Sequence, residues 1–253
     1  MLDLIRQEFY KLFQKKSVLL SPLVILALML FMGTGGNLSD RKYFFTQGFS
    51  GFQWLDIAIV VIGANMMAME FEYGTIKHLV ASHNNKFLIY MSKMIVLTIY
   101  DVIMHFLIFI FTFSIAILVY GSKLPLHSLY NGRPIINTFI TATLGDQFGT
   151  ILVITLVFLI AGLSRTSSIV ATGGLALLIF GTSVSSLIIK SFGSAFPFVK
   201  WNPGNMFNVS FQFATPGIIK QSFLTDSQLV IGNLVYIVLF IILGYIAFSR
   251  KRI

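Results

Sequence analysis

Residues 102–122 read VIMHFLIFIFTFSIAILVYGS, a run of 21 residues without an Asp, Glu, Lys or Arg side chain. A helix needs about 20 apolar residues to cross a hydrocarbon core of roughly 30 Å, and this run is long enough. Further charge-free runs of 23, 13, 18, 24 and 23 residues occupy 17–39, 57–69, 147–164, 166–189 and 227–249. The 13-residue run crosses only if Asp56 and Glu70 lie at the two interfaces. We therefore predict an all-α integral membrane protein with six transmembrane helices.

Composition excludes several classes of protein. The 253 residues are 56% hydrophobic and only 11% charged, and they include no cysteine. This composition is far from that of soluble domains, and the connections between the runs are too short for a soluble catalytic or nucleotide-binding domain. We interpret the net charge of +9 as an excess of Lys and Arg on the cytoplasmic side rather than as a nucleic-acid surface. Disulfides and thiolate metal sites are excluded.

The chain is predicted to form one transmembrane domain over 1–253. The predicted spans are 18–36, 52–70, 88–120, 143–164, 167–190 and 228–249. Eleven Lys and Arg residues fall in 1–16, 70–93, 165 and 250–252, and seven fall in the remaining connections. Because positively charged loops are retained on the cytoplasmic side, both termini are predicted to be cytoplasmic.

The first 16 residues form a separate amphipathic pattern. Apolar side chains recur at helical spacing and two lysines follow them: Leu2, Ile5, Phe9, Leu12, Phe13, Lys15 and Lys16. This pattern predicts an interfacial helix whose lysines contact anionic head groups. The alternative is an extension of the first span. Ser21-Pro22 argues against it, because proline interrupts a continuing helix and suits the first turn of a new one.

The connection after the second span has the most specific pattern in the chain. Two acidic residues precede a glycine and a threonine, and a short amphipathic segment follows: Glu70, Glu72, Gly74, Thr75, Ile76, Lys77, His78, Leu79, Val80 and His83. Thr75 is suited to cap this short helix. A short amphipathic helix in a loop suits docking into a groove of a partner protein. An ordinary interfacial connection is the alternative.

Asp101 and His105 form an ionisable pair deep in the third span. Their spacing of four residues places them on one helix face, roughly 20 Å from the beginning of the span. Charges inside a membrane are costly and generally face the bundle interior or a wet cavity. The pair is predicted to line a conduit or to relay protons. The alternative is that it holds neighbouring helices together.

Residues 191–228 are nearly uncharged, rich in phenylalanine and interrupted by Pro197, Pro203 and Pro216. Broken apolar segments persist at membrane depth only when they pack against protein or line a cavity. We expect one or two re-entrant or interfacial helices here, on the outer face. The chain has no phosphate-binding loop and no His-Glu-x-x-His motif, so neither catalytic residues nor a metal site is predicted.

Four features of the chain together resemble the ABC-2 family, the six-span permeases of type V ABC exporters. They are the amphipathic segment 2–16, the segment 70–79 (Glu-Phe-Glu-Tyr-Gly-Thr-Ile-Lys-His-Leu), Lys93 and the broken segment between the last two spans. The resemblance implies that 72–82 forms a coupling helix that contacts a cytoplasmic ABC ATPase. It also implies two ATPase copies, a second permease chain, and ATP and Mg²⁺ bound by the ATPase, with no cofactor on this chain.

Within that family, the small size and the high phenylalanine content resemble peptide-exporting or peptide-immunity permeases of Gram-positive bacteria. The resemblance implies export of amphipathic cytolytic peptides, the phenol-soluble modulins, across the bacterial plasma membrane. One departure from the family pattern is Ser82-His-Asn-Asn-Lys86 in place of a Ser-Arg, so that Lys86 would replace the arginine. The alternatives are a bacteriocin-immunity or drug-efflux permease, an ion-coupled carrier that uses Asp101 and His105, and a membrane anchor without transport.

Overall fold

The computed structural model of the protein describes residues 1–35, 38–82, 85–121, 129–130, 132–215 and 219–251. Its helices are α1 (Leu2–Phe13), α2 (Lys16–Gly33), α3 (Leu38–Thr46), α4 (Gly51–Glu72), α5 (Ile76–Ser82), α6 (Lys86–Ile115), α7 (Ile135–Leu163), α8 (Ser167–Phe192), α9 (Pro203–Met206), α10 (Val209–Ala214), α11 (Ile219–Ser222) and α12 (Asp226–Arg250). Short strands β1 (Leu129–Tyr130) and β2 (Arg133–Pro134) pair antiparallel just before α7.

Six of the described helical segments are long and apolar enough to cross a membrane. They are Lys16–Gly33, Gly48–Glu72, Lys86–Tyr120, Ile135–Leu163, Ser167–Phe192 and Asp226–Arg250. The prediction of an all-α fold with six candidate spans is therefore confirmed. Because successive spans alternate in direction, α1 and α5 lie at one end of the bundle, which we call the elbow end. Helices α3 and α9 to α11 lie at the other end, which we call the far end.

Helices α1 and α2 are separate, but the break between them does not lie at the proline. Lys15 is extended (φ −81°, ψ 118°), and α2 begins at Lys16 with Pro22 inside it. Proline removes the N–H that would bond the carbonyl of Val18 four residues earlier. The hydroxyl groups of Ser21 and Tyr100 donate to that carbonyl instead, at 2.9 and 3.3 Å. Pro22 is therefore accommodated inside α2, because these two hydroxyls replace the lost donor.

Close packing of glycines joins α7 to α12 at the elbow end. A Cβ atom added to Gly162 would lie 2.8 Å from the carbonyl oxygen of Gly244, and one added to Gly244 would collide with the hydroxyl of Tyr90 on α6. Small residues are typical of membrane helix contacts, where dispersion between closely approaching backbones replaces the hydrophobic effect. Three spans therefore meet at this point.

Phenylalanines attach α3 to the spans at the far end. The ring of Phe45 lies 5.6 Å from that of Phe113 on α6 and 5.2 Å from that of Phe139 on α7, measured between centroids. Phe109 lies 5.4 Å from Phe139. Rings at these distances contribute specific attraction beyond the area that they bury. The connection between the first two spans is thus packed on α6 and α7.

The segment between α8 and α12 folds as a 3-10 turn, Pro197–Trp201, and the short helices α9 to α11. Helix α10 packs along α7, where the Thr141 hydroxyl donates to the carbonyl of Phe213 at 3.2 Å. Asn205 Nδ2 donates to the carbonyls of Lys200 and Ser222 at 2.6 and 2.8 Å, which ties the segment together. These contacts show the packing against protein that broken apolar segments need. Pro216, one of the predicted breakers, lies outside the described residues.

The fourth span begins earlier than its predicted boundary at 143. Helix α7 begins at Ile135, directly after Pro134, and its first turns bury Ile135, Phe139 and Ala142. This burial at spacings of three and four residues gives the early turns an apolar contact face. Asp146 lies three turns into this helix and is only 5% exposed.

Candidate coupling site and intramembrane polar cluster

Helix α1 turns one buried stripe toward the bundle. Leu4, Glu8 and Leu12 are spaced four residues apart and are at most 2% exposed, so a carboxylate lies between two leucines. Of the predicted interfacial residues, Leu12 is buried, Ile5, Phe9 and Lys15 are half-buried, and Leu2, Phe13 and Lys16 are exposed. The stripe therefore uses only part of the predicted apolar face, and Leu2 and Phe13 remain available to lipid.

Four charged side chains from three helices meet beneath α1, and we call them the elbow charge cluster: Glu8, Lys11, Glu70 and Lys93. Lys93 Nζ lies 2.8 Å from Glu8 Oε2 and 2.7 Å from Glu70 Oε1. Lys11 Nζ lies 2.7 Å from Glu8 Oε1 and 3.0 Å from Glu70 Oε1. Two carboxylates thus face two ammonium groups. Such mutual pairing is what makes buried charges tolerable.

The elbow charge cluster favours the ionised form of its α1 residues. Burial raises the pKa of Glu8, but the neighbouring Lys93 and Lys11 outweigh burial and hold that pKa below its ordinary value. Burial lowers the pKa of Lys11, but the carboxylates of Glu8 and Glu70 outweigh it and raise that pKa. Lys15 lies next to the cluster, and burial together with repulsion from Lys93 lowers its pKa. Opposite charges therefore decide the pKa shifts of Glu8 and Lys11, whereas desolvation decides that of Lys15 beside the cluster.

A glycine turn connects α4 to α5 at the elbow end. Gly74 has φ +71°, a left-handed conformation that glycine adopts without steric cost. The hydroxyl of Thr75 donates to the carbonyl of Glu70 at 3.4 Å. Its recorded bond therefore closes the turn on α4, in place of the predicted cap on α5. The turn reverses the chain directly after the residue that joins the elbow charge cluster.

Helix α5 is amphipathic, as its sequence pattern predicts. Ile76 is buried, Leu79 and Val80 are half-buried and packed on the main core, and Lys77 and His78 are exposed. The predicted residue His83 lies outside the described residues. Two of the ten predicted coupling residues, Glu70 and Glu72, belong to α4 and contact other helices of this chain. The face that α5 leaves open is basic.

The end of α4 that carries α5 is attached to two further spans. Glu72 Oε2 accepts hydrogen bonds from the backbone N–H and the hydroxyl of Ser167, at 3.0 and 2.8 Å, at the beginning of α8. The Phe71 ring lies 5.5 Å from that of Phe248 on α12, and Lys251 Nζ lies 4.0 Å above the Phe71 ring. With Glu70 in the elbow charge cluster, three consecutive residues contact α1, α6, α8 and α12.

Lys251 also closes the end of α7. Its Nζ donates to the carbonyl of Ala161 at 2.7 Å and to the carbonyl of Ser164. Cations at a helix C-terminus interact favourably with its unpaired carbonyls. Burial, with repulsion from Arg165, lowers the pKa of Lys251 to about 8.

A second group of polar side chains lies inside the spans, and we call it the intramembrane polar cluster: Asp56, Asp101, His105, Asp146, Gln147 and Thr150. The predicted pair Asp101 and His105 lies at its centre, with His105 Nδ1 3.1 Å from Asp101 Oδ1. His105 Nε2 lies 3.1 Å from Asp146 Oδ2 on α7. The hydrogen bond of His105 Nδ1 goes to the backbone carbonyl oxygen of Asp101 at 3.1 Å. One imidazole thus lies between two buried carboxyl groups on neighbouring spans.

Asp56 belongs to the same group through α7. The Thr150 hydroxyl lies 3.0 Å from Asp56 Oδ1 and 2.9 Å from the carbonyl oxygen of Asp146. Gln147 Nε2 donates to Asp101 Oδ2. The polar cluster therefore links α4, α6 and α7. Among the described residues, no group of three His, Cys, Asp or Glu side chains is arranged to hold a metal ion.

A cavity of about 360 Å³ borders the intramembrane polar cluster between α4, α7, α8 and the segment of α9 and α10. Asp56 and Asp146 are in its wall, together with Gln53, Thr182 and Ser210. The remaining wall is formed by apolar side chains: Ile57, Val153, Leu178, Ile179 and Phe207. The cavity thus has acidic and apolar surfaces side by side.

Sequence reasoning missed several residues of both groups. Glu8 was not singled out, although a charge midway between Leu4 and Leu12 on a helical stripe is the signal that would have found it. Asp146 lies within the predicted fourth span, 143–164, but was not singled out as a partner of His105. Asp56 was assigned to a membrane interface, whereas the structure places it beside α7 and the cavity.

Comparison with known proteins identifies the family. Residues 4–185 match the family model described as ABC-2 family transporter protein. The chain is also 24% identical over 203 residues to a protein of Bacillus subtilis (strain 168) described as uncharacterized protein YhcI, an alignment that covers 77% of this chain and 63% of that protein. The chain spans less than two thirds of that relative's length. The family match confirms the resemblance to the ABC-2 family, and ABC-2 membrane domains lack ATPase activity. The chain belongs to the ABC-2 family of transporter membrane proteins.

Proposed function

We propose that this chain is the permease subunit of an ATP-driven exporter. It pairs with a second permease chain and with two copies of a cytoplasmic ABC ATPase, which binds ATP and Mg²⁺. The observation that carries the proposal is α5, which directs Lys77 and His78 outward while its apolar residues hold it on the bundle. A short amphipathic helix fixed at a loop is suited to docking in a groove of another protein.

The attachments of α4 support a route for the motion of the ATPase into the membrane. Glu70, Phe71 and Glu72 join the helix end beside α5 to four other helices. A displacement of α5 would therefore move α1, α6, α8 and α12 with it instead of being absorbed in a loose loop. Packed helices transmit such displacements because they are not continuously deformable. Closure of the two ATPases would be transmitted to the spans in this way.

The orientation and the substrate belong to the same proposal. The elbow end is cytoplasmic, with both termini inside the bacterial plasma membrane, because Lys and Arg are enriched in the segments at that end. The substrates are amphipathic cytolytic peptides of the phenol-soluble modulin type, for which the support is the resemblance to peptide-exporting permeases. An amphipathic peptide can enter laterally from the inner leaflet and leave on the side of the far end.

A charge reversal on α5 tests the docking of the ATPase. The chain is co-expressed with the ATPase from its own gene neighbourhood. The double substitution Lys77→Glu and His78→Glu should abolish co-purification of the ATPase, because it reverses the charge of the exposed face of α5. Both substitutions change only this exposed face. Arg6→Glu is the matched control, since Arg6 is an exposed basic residue of α1. A complex that survives the double substitution would contradict docking through α5.

Reconstituted vesicles separate the proposed exporter from its alternatives. ATP-dependent uptake of an amphipathic helical peptide into inverted vesicles should require both chains. Uptake driven by a proton gradient without the ATPase would contradict the proposal in favour of an ion-coupled carrier. Absence of transport from an intact complex of both chains would favour an anchor.

A further inference from the structure

The cavity beside the intramembrane polar cluster has two carboxylates with unused hydrogen-bonding capacity. Asp146 is only 5% exposed, and its Oδ2 is engaged by His105. Asp56 Oδ1 is engaged by Thr150. Among the described residues, no hydrogen bond or ion pair is recorded for the second oxygen of either carboxylate, and both side chains line the cavity. An ionised carboxylate has about four acceptor positions, so each has acceptors free for a ligand.

Three carboxyl groups surround a single imidazole here, so one basic side chain serves three groups that can carry negative charge. His105 is within 3.1 Å of both Asp101 and Asp146, and one imidazolium offsets one negative charge. Asp56 receives a hydroxyl group, which carries no charge. Uncompensated charges inside a membrane are costly, and such residues pair with one another or face a pathway. The elbow charge cluster shows the balanced arrangement that this one lacks.

The cavity wall indicates what kind of cation would fit. Organic ligand sites are cavities of about 300–1,000 Å³ that are mostly apolar with a few placed polar groups, and this cavity of about 360 Å³ has that character. Leu178 and Phe207 offer apolar contact in the same cavity as Asp56 and Asp146. A hydrated inorganic ion would leave these apolar walls unused. An organic cation with a large apolar part would contact both the carboxyl groups and the apolar wall of the cavity.

We propose that this cavity binds the positively charged group of an amphipathic organic cation, with Asp56 and Asp146 as the anionic side and the walls of α7, α8 and α9–α10 around its apolar part. The inference deepens the proposed function, on which it rests for transport, because it assigns the charge class of the substrate. The cavity lies toward the far end of the bundle, the exit side in the proposed orientation. Binding itself requires only this chain.

Two ions of one shape and opposite charge test the proposal. The full chain in lipid nanodiscs is titrated with tetraphenylphosphonium, an apolar cation, and with tetraphenylborate, its anionic counterpart. The cation is expected to bind at least about tenfold more tightly than the anion after subtraction of empty nanodiscs, because coupling between close charges is of that order or more. Equal binding of the two ions overturns the proposal.

Two variants separate charge from space. Asp56→Asn keeps an acceptor for Thr150 and should weaken binding of the phosphonium about tenfold, because it removes one anionic charge. Thr182→Trp fills the cavity from α8 and should prevent binding of the phosphonium, whatever the charges. Asp3→Asn, an exposed residue on α1, is the matched control and should bind like the wild type. If the carboxyl groups are protonated and neutral, Asp56→Asn should bind the phosphonium as the wild type does. That result overturns the proposal.

The failure of this inference can be told from a failure of the proposed function. Asp56→Asn should leave co-purification of the ATPase intact, since Asp56 is far along α4 from α5. If the phosphonium does not bind while the α5 double substitution still releases the ATPase, only the cation site is wrong. If the phosphonium binds and the ATPase is not released, the site stands and docking through α5 is wrong.

Discussion

The two ends of α4 each carry a carboxylate beside the same 13-residue apolar run, yet the structure satisfies them differently. At the elbow end, Glu70 Oε1 lies 2.7 Å from Lys93 Nζ and 3.0 Å from Lys11 Nζ. Nearer the far end, Asp56 receives one hydrogen bond from Thr150 and borders a cavity. Both side chains are half-buried and both border cavities, but Glu70 is held by two ammonium groups, whereas the partner of Asp56 is a neutral hydroxyl. An acidic residue beside an apolar run can therefore either hold helices together or form part of a ligand-binding surface.

The difference lies in what surrounds each carboxylate. A buried ion pair is weak support for a fold compared with apolar packing, but the loss of one partner is severe because the other charge remains buried. Asp56 contacts the neutral hydroxyl of Thr150, so its substitution leaves no charged partner of that contact unpaired. Substitutions at the two ends of α4 should therefore have opposite profiles, with folding lost at one end and ligand binding lost at the other.

The largest effect is expected at the centre of the elbow charge cluster. Lys93→Met leaves Glu8 and Glu70 close together without the ammonium between them, which should destabilise the fold by about 3–5 kcal/mol. The measurement is thermal unfolding of the detergent-solubilised protein by fluorescence-detected size exclusion. Lys16→Met, at an exposed lysine, is the control. A wild-type transition for Lys93→Met would show that the cluster contributes nothing.

A smaller effect on folding and a clear effect on transport are expected for Asp101→Asn. The substitution retains the shape of the side chain but removes the charge that pairs with His105 and accepts from Gln147. Hydrogen bonds to charged groups contribute about 1.5–3 kcal/mol, so ATP-dependent transport should fall about tenfold or more. The complex with the ATPase should still assemble. Lost assembly without a separate transport defect would mean that the pair only holds helices together.

The pH dependence of stability should report on Glu8. Its folded pKa lies below its ordinary value of 4.5, so its contribution is complete above pH 4.5 and is lost as the pH falls through the folded pKa. Glu8→Gln should therefore flatten the part of the melting-temperature profile between pH 5 and 3, with Asp3→Asn as control. Identical profiles for wild type and Glu8→Gln would exclude a role for the Glu8 charge.

The smallest effect on stability is expected for Asp56→Asn. The asparagine oxygen can still accept from Thr150, and the side chain is not sealed in the core, so the change should be within about 0.5 kcal/mol. Glu70→Gln, made at the other end of the same helix, should destabilise clearly more. Equal destabilisation by the two substitutions would show that Asp56 and Glu70 do not differ in their contribution to the fold.

Five of the six spans could be predicted from a local property, a charge-free apolar run of 18 residues or more, and the second from a 13-residue run extended by its flanking residues. Helix α5 could also be predicted, since Ile76, Leu79 and Val80 already have helical spacing. Its basic outer face follows from the same spacing, which leaves Lys77 and His78 on the other side.

The polar clusters could not be predicted as sets because their members come from different helices. The contact between Glu8 and Lys93 joins residues 85 positions apart, and that between His105 and Asp146 joins residues 41 apart. Nothing local distinguishes these residues from solvated charges. The same limit applies at Pro22, whose local effect is to interrupt a helix. Tyr100, which lies in another span, supplies one of the donors that keep α2 helical there.

The depth of Lys93 has a consequence for how the elbow responds to its medium. Mobile ions weaken attractions between charges that they can approach, and they do so over a Debye length of about 8 Å at physiological ionic strength. Lys93 and Glu8 are at most 1% exposed, so dissolved salt does not reach the contact between them. The attachment of α1 to α6 should therefore persist at high ionic strength. Lys16, an exposed lysine at the beginning of α2, would lose its attraction to anionic lipid at the same ionic strength.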